Sequence, residues 1–301
     1  LLKTADVIWV SRFPIYLKIL DIRESNPKAF EGVRLIYDSE CIESTRSRLQ
    51  RIAVQSPMME DEFNTLLRHE MQQACKADQV IAVSNLEKDI FQENGCKSVA
   101  LVSHSADSVK ELKSIGDRSG LLFVGRMVEE NSPNVDGLRW FSDNCFPGLL
   151  QDGLTCRLVG AISEPLYEEF EEIGYEVTRP VVDLLPAYDA AMLFIAPTRY
   201  AAGIPIKIIE ASAAGLPVVA TRLLCDQLGW IPDVEMLVAD SPQEFTNKIK
   251  MALADESLWH EIQYRAHQRV IKDFSALSFA DSLNRVVTKM LVHAAEFRPL
   301  G

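Results

Sequence analysis

The sequence has no apolar run of the ~18 residues that a membrane-spanning helix needs, and we predict no transmembrane segment. Its first residues, LLKTADVIWVSRF, lack a basic leader and a small-residue cleavage site. Such a start is not typical of a signal peptide, and we expect none. These absences favour a cytoplasmic location.

Metal-binding and disulfide patterns are also lacking. The five histidines form no ligand motif, and we predict no metal site. No two of the six cysteines have metal-ligand spacing; they stand at positions 41, 75, 96, 145, 156 and 225. A chain of 301 residues does not need disulfides for its stability. We therefore expect all six cysteines to be reduced core residues.

Basic residues are in deficit, with 31 Lys and Arg against 43 Asp and Glu and a formal net charge of −12. Non-specific nucleic-acid binding requires a basic face, so we predict no nucleic-acid partner. A local basic site for a phosphate ligand remains compatible with this charge.

What the sequence does contain is an alternation of apolar strand segments and helix-length segments. The predicted strands are 6–10, 33–38, 79–84, 98–103, 120–125, 155–160, 175–180, 192–197, 217–221 and 235–240. The predicted helices include a long polar one at about 43–77, and others at 134–151 and 241–255. This alternation predicts an α/β protein with parallel sheets that are covered on both faces.

The length is about twice that of an ordinary ~150-residue domain, which favours two domains. A polar stretch with two glycines, residues 104–120, separates two series of strands. We predict an N-terminal domain at 1–110, a C-terminal domain at 111–278, and a C-terminal helix at 279–301 that packs back on the first domain. The first domain has only four strands and no Gly-rich opening turn, so we expect it to be incomplete or unusually small.

The segment LLFVGRM, 121–127, is a buried strand that ends at Gly125 and Arg126. Ligands of open α/β sheets bind beyond the carboxyl ends of strands. A glycine there lets the backbone approach a ligand, and an arginine can hold phosphate with its planar set of donors. The alternative is an arginine that forms a salt bridge at a loop rim.

The segment RYAAGIPIKIIEASAAGLPVVAT, 199–221, follows another strand with a glycine loop and a helix of small residues. Lys207 lies in the first turn of that helix, where a cation is unfavourable unless an anion binds. Glu210, one turn further, can accept both hydroxyls of a ribose. The alternative has Lys207 as a solvated charge and Glu210 as a partner of the helix dipole.

Several motifs, taken in order, resemble one enzyme family. In the second half they are FVGRM, PNVDGLRWF, RLVG, VVDLLPAYDAAMLFIAPTRY, GIPIKIIEASAAGLPVVAT and FSALSFADSLNRVV. In the first half, LIYDSE and ADQVIAVSNLEKDIF resemble late strands of the family's acceptor-side domain. The resemblance is to group 1 glycosyltransferases of the retaining, family-four-like class. It covers nearly the whole chain from residue 6 and implies the GT-B architecture of two Rossmann-like domains.

The resemblance implies that a nucleoside-diphosphate sugar binds between the two domains. Arg126 matches the residue that holds the donor diphosphate, and Glu210 matches the residue that binds the ribose hydroxyls. Gly203 and Ile204 match a loop whose backbone amides face the distal phosphate and the sugar. The other implied donor-site residues lie at strand ends and beside the base: Gly125, Val159, Gly160, Val182 and Leu184.

The sequence departs from the family pattern at several positions. Ala202 stands where the family usually has a glutamate that contacts the donor sugar, and Lys207 is then implied to bind the diphosphate. A histidine that commonly follows a first-domain strand is absent, and the acceptor-side candidates are Asp38, Glu40 and His104. Asp38 and Glu40 have an alternative role as caps of the helix that follows.

The resemblance implies sugar transfer from a nucleotide sugar to a hydroxyl of a glycan or lipid-linked glycan, with retention, as in polysaccharide biosynthesis. Arg126, Lys207 and Glu210 would be the catalytic group, with no metal and no cofactor besides the nucleotide-sugar substrate. Two alternatives stay open, a GT-B nucleotide-sugar epimerase and a non-catalytic nucleotide-sugar-binding module. Peripheral association with the inner membrane is compatible with a lipid-linked acceptor.

Overall fold

The computed structural model describes residues 5–296, with side chains up to residue 292. It is an α/β structure with two parallel sheets, which confirms the predicted fold class. The chain forms two compact units. Unit 1 comprises the described residues within 1–104, 202–204 and 276–301, and unit 2 comprises residues 105–201 and 205–275. The end of the predicted C-terminal helix, 297–301, lies outside the described residues.

Unit 1 contains a four-stranded sheet in the order β1-β2-β3-β4. Its strands are β1 (Val7–Ser11), β2 (Arg34–Asp38), β3 (Gln79–Ala82) and β4 (Val99–Leu101). With helices numbered along the whole chain, its helices are α1 (Phe13–Ser25), α2 (Glu43–Ala53), α3 (Glu60–Ala74), α4 (Asn85–Glu93) and α13 (Ala276–Glu296). A short 3₁₀ helix spans Pro27–Phe30.

Successive residues of β2 pack on opposite faces of this sheet, as the pleat of a strand requires. Tyr37 stacks on Tyr16 of α1, with ring centroids 4.3 Å apart. Ile36 on the other face belongs to a cluster with Val286 and Met290 of α13. Both faces of the sheet are therefore covered within unit 1, which explains the continuous apolar strand.

The prediction that all cysteines are reduced is wrong for two of them. Cys75, at the end of α3, and Cys96, before β4, form a disulfide with their Cα atoms 4.7 Å apart. Their separation of 21 residues in sequence concealed this proximity, because it arises only when α3 and α4 pack beside β3. The other four cysteines carry free thiols.

Unit 2 contains a six-stranded parallel sheet in the order β10-β9-β8-β5-β6-β7. Its strands are β5 (Leu121–Val124), β6 (Cys156–Val159), β7 (Glu176–Thr178), β8 (Leu193–Ala196), β9 (Val218–Ala220) and β10 (Leu237–Val238). Its helices are α5 (Pro133–Asn144), α6 (Phe146–Gln151), α7 (Glu164–Ile173), α8 (Leu185–Ala190), α9 (Ile206–Ala213), α10 (Arg222–Leu228), α11 (Pro242–Ala254) and α12 (Glu256–Asp273). The strand order reverses direction between β5 and β8, so a topological switch point lies there.

Two predicted helices are each divided in the structure. The predicted helix at 43–77 is two helices, α2 and α3, because Pro57 lies between them and Gln55 has a left-handed φ of 56°. The predicted helix at 134–151 is also two helices, α5 and α6, and Pro147 lies in the first turn of the second. Both prolines are visible in the sequence, but the predicted ranges run through them.

Candidate functional site

The candidate site lies at the switch point of the unit 2 sheet. Gly125 and Arg126 directly follow β5, and the loop after β8 leads into α9 with Lys207 and Glu210. Because β5 and β8 are hydrogen-bonded parallel neighbours, their carboxyl ends lie at the same edge. This is where open α/β sheets bind their ligands.

Two glycines let the backbone pack closely at this edge. Gly160, after β6, has a φ of 145°, and a Cβ atom there would lie 2.0 Å from the carbonyl oxygen of Gly125. A Cβ atom at Gly125 would lie 2.9 Å from Asn134 Nδ2 and equally close to the Phe123 ring. The structure thus brings the predicted residues Gly125 and Gly160 together, and it adds Asn134 as a neighbour.

Lys207 lies in an enclosed position on α9. Its Nζ donates a hydrogen bond to Asn134 Oδ1 and lies 4.7 Å from the centroid of the Phe123 ring. Within the described residues, no carboxylate lies at ion-pair distance from it. Burial lowers the pKa of Lys207 to about 8, because the charged form loses solvation. Lys207 is therefore a half-buried, hydrogen-bonded cation and not a fully solvated one.

Arg126 has an exposed side chain at the same edge. Its guanidinium donates to Glu129 Oε1 at 2.8 Å, so the ion pair of the alternative interpretation is present. The Arg126 carbonyl accepts from Asn134 Nδ2 at 2.9 Å. An exposed ion pair contributes little stability, and a diphosphate can therefore replace Glu129 as the partner of Arg126.

A cavity of about 550 Å³ in unit 2 is lined by residues from three places in the sequence. They are Glu210 on α9, the Asp183–Leu184 loop with Tyr188, and the segment 105–110. Glu210 lies beyond the first turn of α9, so it is not a dipole partner at the helix N-terminus. The cavity brings together two predicted residues, Glu210 and Leu184.

The prediction places the segment 105–110 in a polar seam and within the N-terminal domain, 1–110, whereas the structure places it in unit 2. In the structure its backbone is fixed within unit 2. Ala106 N donates to Phe274 O at 2.8 Å, and Val109 N donates to Ala213 O at 3.0 Å. Local sequence carried no signal for this wall of the cavity, since both hydrogen bonds join it to residues more than 100 positions away.

Two other predicted donor-site residues do not reach this cavity with their side chains. Val182 is fully exposed, at 109% of its reference area, and does not line the cavity. Its chain neighbours Val181 and Asp183 are exposed as well. Val159 is buried within β6, and its carbonyl accepts from Gly125 N at 3.0 Å.

The loop before α9 was expected to direct its backbone amides towards the distal phosphate and the sugar, and the structure differs. Gly203, which belongs to unit 1, donates its amide to Glu87 Oε1 at 3.0 Å. The prediction that this amide faces a phosphate is wrong in this structure, because a buried carboxylate requires donors and takes it. Ile204 is half-buried, and its amide makes no hydrogen bond within the described residues.

The acceptor-side candidates occupy different environments in unit 1. Asp38 Oδ2 accepts from Trp9 Nε1 at 3.0 Å and from Ser11 Oγ at 3.3 Å. Glu40 forms an ion pair of 2.8 Å with Arg12. Both Arg12 and Glu40 have left-handed φ values, 75° and 54°. His104 is half-buried at the end of the unit 1 segment.

The proposed capping role of Asp38 and Glu40 is wrong. The first amides of α2, at Glu43 and Ser44, donate to the Glu70 carboxylate at 2.8 and 2.9 Å. Glu70 lies on α3, 26 residues or more away, and it is almost completely buried. A cap supplied from a distant helix cannot be predicted from local sequence.

Two general predictions concern metals and membranes. Among the described residues, no group of three or more His, Cys, Asp or Glu side chains is arranged to hold a metal ion. Within the same part of the chain, no helix has the length and apolar character to cross a membrane.

Comparisons with known proteins identify one matching family model and several structures with the same fold. Residues 118–255 match the family model described as Glycosyl transferases group 1. No curated protein is similar enough in sequence to count as a match.

Solved structures with the same fold share little sequence with the chain. Sucrose-phosphate synthase from Thermosynechococcus elongatus has a TM-score of 0.70 at 17% identity, over 96% of this chain and 74% of that one. HepE from Anabaena has a TM-score of 0.68 at 16% identity, over 96% and 80%. TarM has a TM-score of 0.66 at 13% identity, over 93% and 54%.

These findings confirm the resemblance inferred from the motifs. The matched residues 118–255 contain Arg126, Asn134, Lys207 and Glu210. The fold of this chain is that of the solved GT-B glycosyltransferases, and its residues 118–255 match the family model of group 1 glycosyl transferases.

Proposed function

We propose that this protein transfers a sugar from a nucleoside-diphosphate sugar to a hydroxyl of a glycan or lipid-linked glycan, with retention of configuration. The observation that carries this proposal is the arrangement at the unit 2 switch point. Asn134 hydrogen-bonds both the Arg126 backbone carbonyl and the Lys207 ammonium, and Glu210 follows Lys207 by one helical turn beside a cavity of about 550 Å³.

The proposed donor is oriented by this arrangement. Its base and ribose occupy the cavity of about 550 Å³, with Glu210 accepting the ribose hydroxyls. Its diphosphate lies beside Arg126 and Lys207. Solved structures support this donor class, because HepE has been crystallised with UDP and with UDP-glucose.

The proposed chemistry depends on stabilising the leaving group. The bond between the anomeric carbon and the diphosphate oxygen breaks, and a new bond forms to the acceptor oxygen. The acceptor proton passes to the released diphosphate. Arg126 and Lys207 oppose the negative charge that develops on the diphosphate, and fixed cations of this kind need no reorganisation during the reaction.

The proposed acceptor side lies in unit 1. Glu40 and Arg12 are exposed at the ends of neighbouring strands, where a charged pair can hydrogen-bond sugar hydroxyls. Asp38 is a scaffold residue in this proposal, because its carboxylate joins β1 to β2. We propose a cytoplasmic enzyme, in peripheral contact with the inner membrane if its acceptor is lipid-linked.

Nucleotide binding is the first test of the proposal. We expect thermal unfolding of the full chain to shift upward with one of UDP, GDP, ADP, CDP and dTDP. Arg126→Ala should weaken that diphosphate about tenfold to a hundredfold and leave the matching nucleoside unchanged, because Arg126 faces phosphate. Glu210→Ala should weaken both ligands. Arg157→Ala, which removes an exposed arginine paired with Glu176, is the matched control.

Turnover separates the proposed function from its alternatives. Incubation with the corresponding nucleotide sugars should release nucleoside diphosphate, slowly to water and faster with an acceptor glycan. Isomerisation at C2 of the sugar would instead indicate an epimerase, and binding without turnover would indicate a binding module. Unchanged diphosphate affinity in both Arg126→Ala and Glu210→Ala would refute the donor site.

A further inference from the structure

Asn134 is the second residue of α5 and contacts both proposed diphosphate ligands. Its Nδ2 donates to the Arg126 carbonyl at 2.9 Å, and its Oδ1 accepts from Lys207 Nζ. The sequence motif PNVDGLRWF contains this asparagine, but the motif by itself assigned it no role.

The orientation of the Asn134 amide follows from its two partners. A carbonyl oxygen such as that of Arg126 can only accept, so it takes the amide nitrogen. An ammonium can only donate, so Lys207 takes the amide oxygen. Gly125 makes this position accessible, since a Cβ atom there would lie 2.9 Å from Nδ2.

The chemical identity of this acceptor matters for charge. A carboxylate at position 134 would also hold Lys207, but it would neutralise the ammonium and repel an anionic ligand. An amide oxygen holds the ammonium and leaves its positive charge uncompensated. The neutral partner is therefore suited to a lysine that must attract an anion.

The charged groups of the neighbouring elements have other partners. Asp136 of α5 forms a two-point ion pair with Arg199, with a distance of 2.9 Å from Nε to Oδ2. Arg126, after β5, is paired with Glu129. Burial alone lowers the pKa of Lys207, and no charged group contributes to the shift. The ammonium is thus held by a neutral oxygen and a neutral ring.

We propose that Asn134 is a positioning residue, which fixes the Lys207 ammonium beside Arg126 and preserves its charge for the diphosphate of the donor. This inference rests on the proposed function, because it assumes that a nucleoside diphosphate binds here. It adds a specific reason for an asparagine, and not an aspartate, at the start of α5.

Asn134→Asp is the informative substitution, because it separates stability from binding. The new carboxylate pairs with Lys207 and lies at a helix N-terminus, so thermal stability of the ligand-free protein should rise. Affinity for the nucleoside diphosphate that binds best among UDP, GDP, ADP, CDP and dTDP should fall about tenfold or more at pH 7. Affinity for the matching nucleoside should not change.

The pH profile gives a readout that a merely structural role would not move. Wild-type affinity for the diphosphate should fall as pH rises through about 8, where Lys207 loses its charge. In Asn134→Asp the carboxylate raises the pKa of Lys207, so this fall should move to higher pH. Asn144→Asp makes the same change at the exposed C-terminal end of α5 and should leave affinity and pH profile unchanged.

The outcomes distinguish this inference from the proposed function. If the wild-type protein binds a diphosphate and Asn134→Asp binds it equally well, the inference is wrong and the proposed function stands. If the wild-type protein binds none of the five diphosphates, both are wrong. Should Asn134→Asp fail to fold, Asn134→Ala decides, because it releases Lys207 and should also weaken the diphosphate selectively. Unchanged affinity in that variant would overturn the inference.

Discussion

At the scale of single residues, Lys207 shows a conflict between folding and binding. Its ammonium is held by Asn134 and Phe123 without a carboxylate, and burial lowers its pKa to about 8 from an ordinary value of 10.5. Between these two pH values the unfolded chain binds more protons than the folded one. The free energy of unfolding therefore rises with pH in this window. The folded protein with a charged Lys207, which an anionic ligand needs, is less stable than the one with a neutral Lys207.

Replacing Lys207 by methionine should reverse the balance. We expect Lys207→Met to raise the unfolding temperature of the ligand-free protein at pH 7, because a desolvated charge is replaced by an apolar side chain of similar length. Diphosphate affinity should fall at least about tenfold at pH 7. The loss of affinity between pH 7 and pH 9 should be about tenfold in the wild type and absent in the variant.

Thermal unfolding and isothermal titration calorimetry over pH 7 to 9 measure both effects. Lys113→Met is the matched control, since Lys113 is an exposed lysine of unit 2 that pairs with Asp189. A Lys207→Met variant that loses stability and keeps its diphosphate affinity would show that the lysine is only structural.

The placement of Arg126 and Lys207 near the carboxyl ends of β5 and β8 could be predicted because it depends on position relative to strand ends. Asn134 could not be predicted in the same way. Its role depends on the approach of α5 to α9, across 73 residues of sequence, to within hydrogen-bond distance. The Gly203 amide was misassigned for a similar reason, since Glu87 lies 116 residues away.

At the scale of elements, buried carboxylates hold loop amides in unit 1. Glu87 of α4 accepts from Ile42 N at 2.9 Å, before α2, and from Gly203 N at 3.0 Å. Burial raises the pKa of Glu87 to about 7, with a smaller contribution from the Glu70 carboxylate. Between the ordinary value of 4.5 and about 7, the folded protein binds more protons than the unfolded chain. Stability should fall as pH rises through this window.

Glu87→Gln should remove this dependence. The amide oxygen can still accept from both backbone amides, and the side chain no longer titrates. We expect the free energy of unfolding of the variant, relative to wild type, to improve by about 1 to 3 kcal/mol between pH 5 and pH 8. Urea unfolding at both pH values measures this difference.

Glu93→Gln, at the exposed end of α4, should show no such change in its free energy of unfolding. Parallel pH profiles for the wild type and Glu87→Gln would contradict the assignment.

Element type could be predicted more reliably than element length. Of the ten strands in the described part of the chain, nine lie within the predicted segments and β1 extends one residue beyond 6–10, because a strand buried on both faces has a clear apolar run. β10, however, has only two residues of the six predicted, since pairing with β9 determines its length. The cap of α2 by Glu70 likewise depends on the packing of two helices and not on local sequence.

At the scale of the whole molecule, unit 2 contains a complete core and the whole proposed nucleotide site. Its main hydrophobic cluster extends from Leu121 to Ile262 in sequence, and every residue that lines the 550 Å³ cavity lies in unit 2. Trp259 of α12 is fully buried in this cluster, and Gln263 donates to the Gly215 carbonyl at 2.8 Å. The order of the sequence motifs could predict that such a domain exists. The domain also includes residues on either side of the family match.

We therefore expect a fragment of residues 105–275 to fold cooperatively and to bind the same nucleoside diphosphate as the full chain, with an affinity within about tenfold. It should not transfer sugar, because the proposed acceptor residues are absent.

A shorter fragment, 118–255, corresponds to the family match. It should neither fold cooperatively nor bind the diphosphate, because it lacks Trp259 and the 105–110 wall of the cavity. Urea unfolding and calorimetric titration of the two fragments measure these differences. Equal binding by both would show that α12 and residues 105–110 are dispensable for the site, and failure of 105–275 to fold would show that unit 2 depends on the rest of the chain.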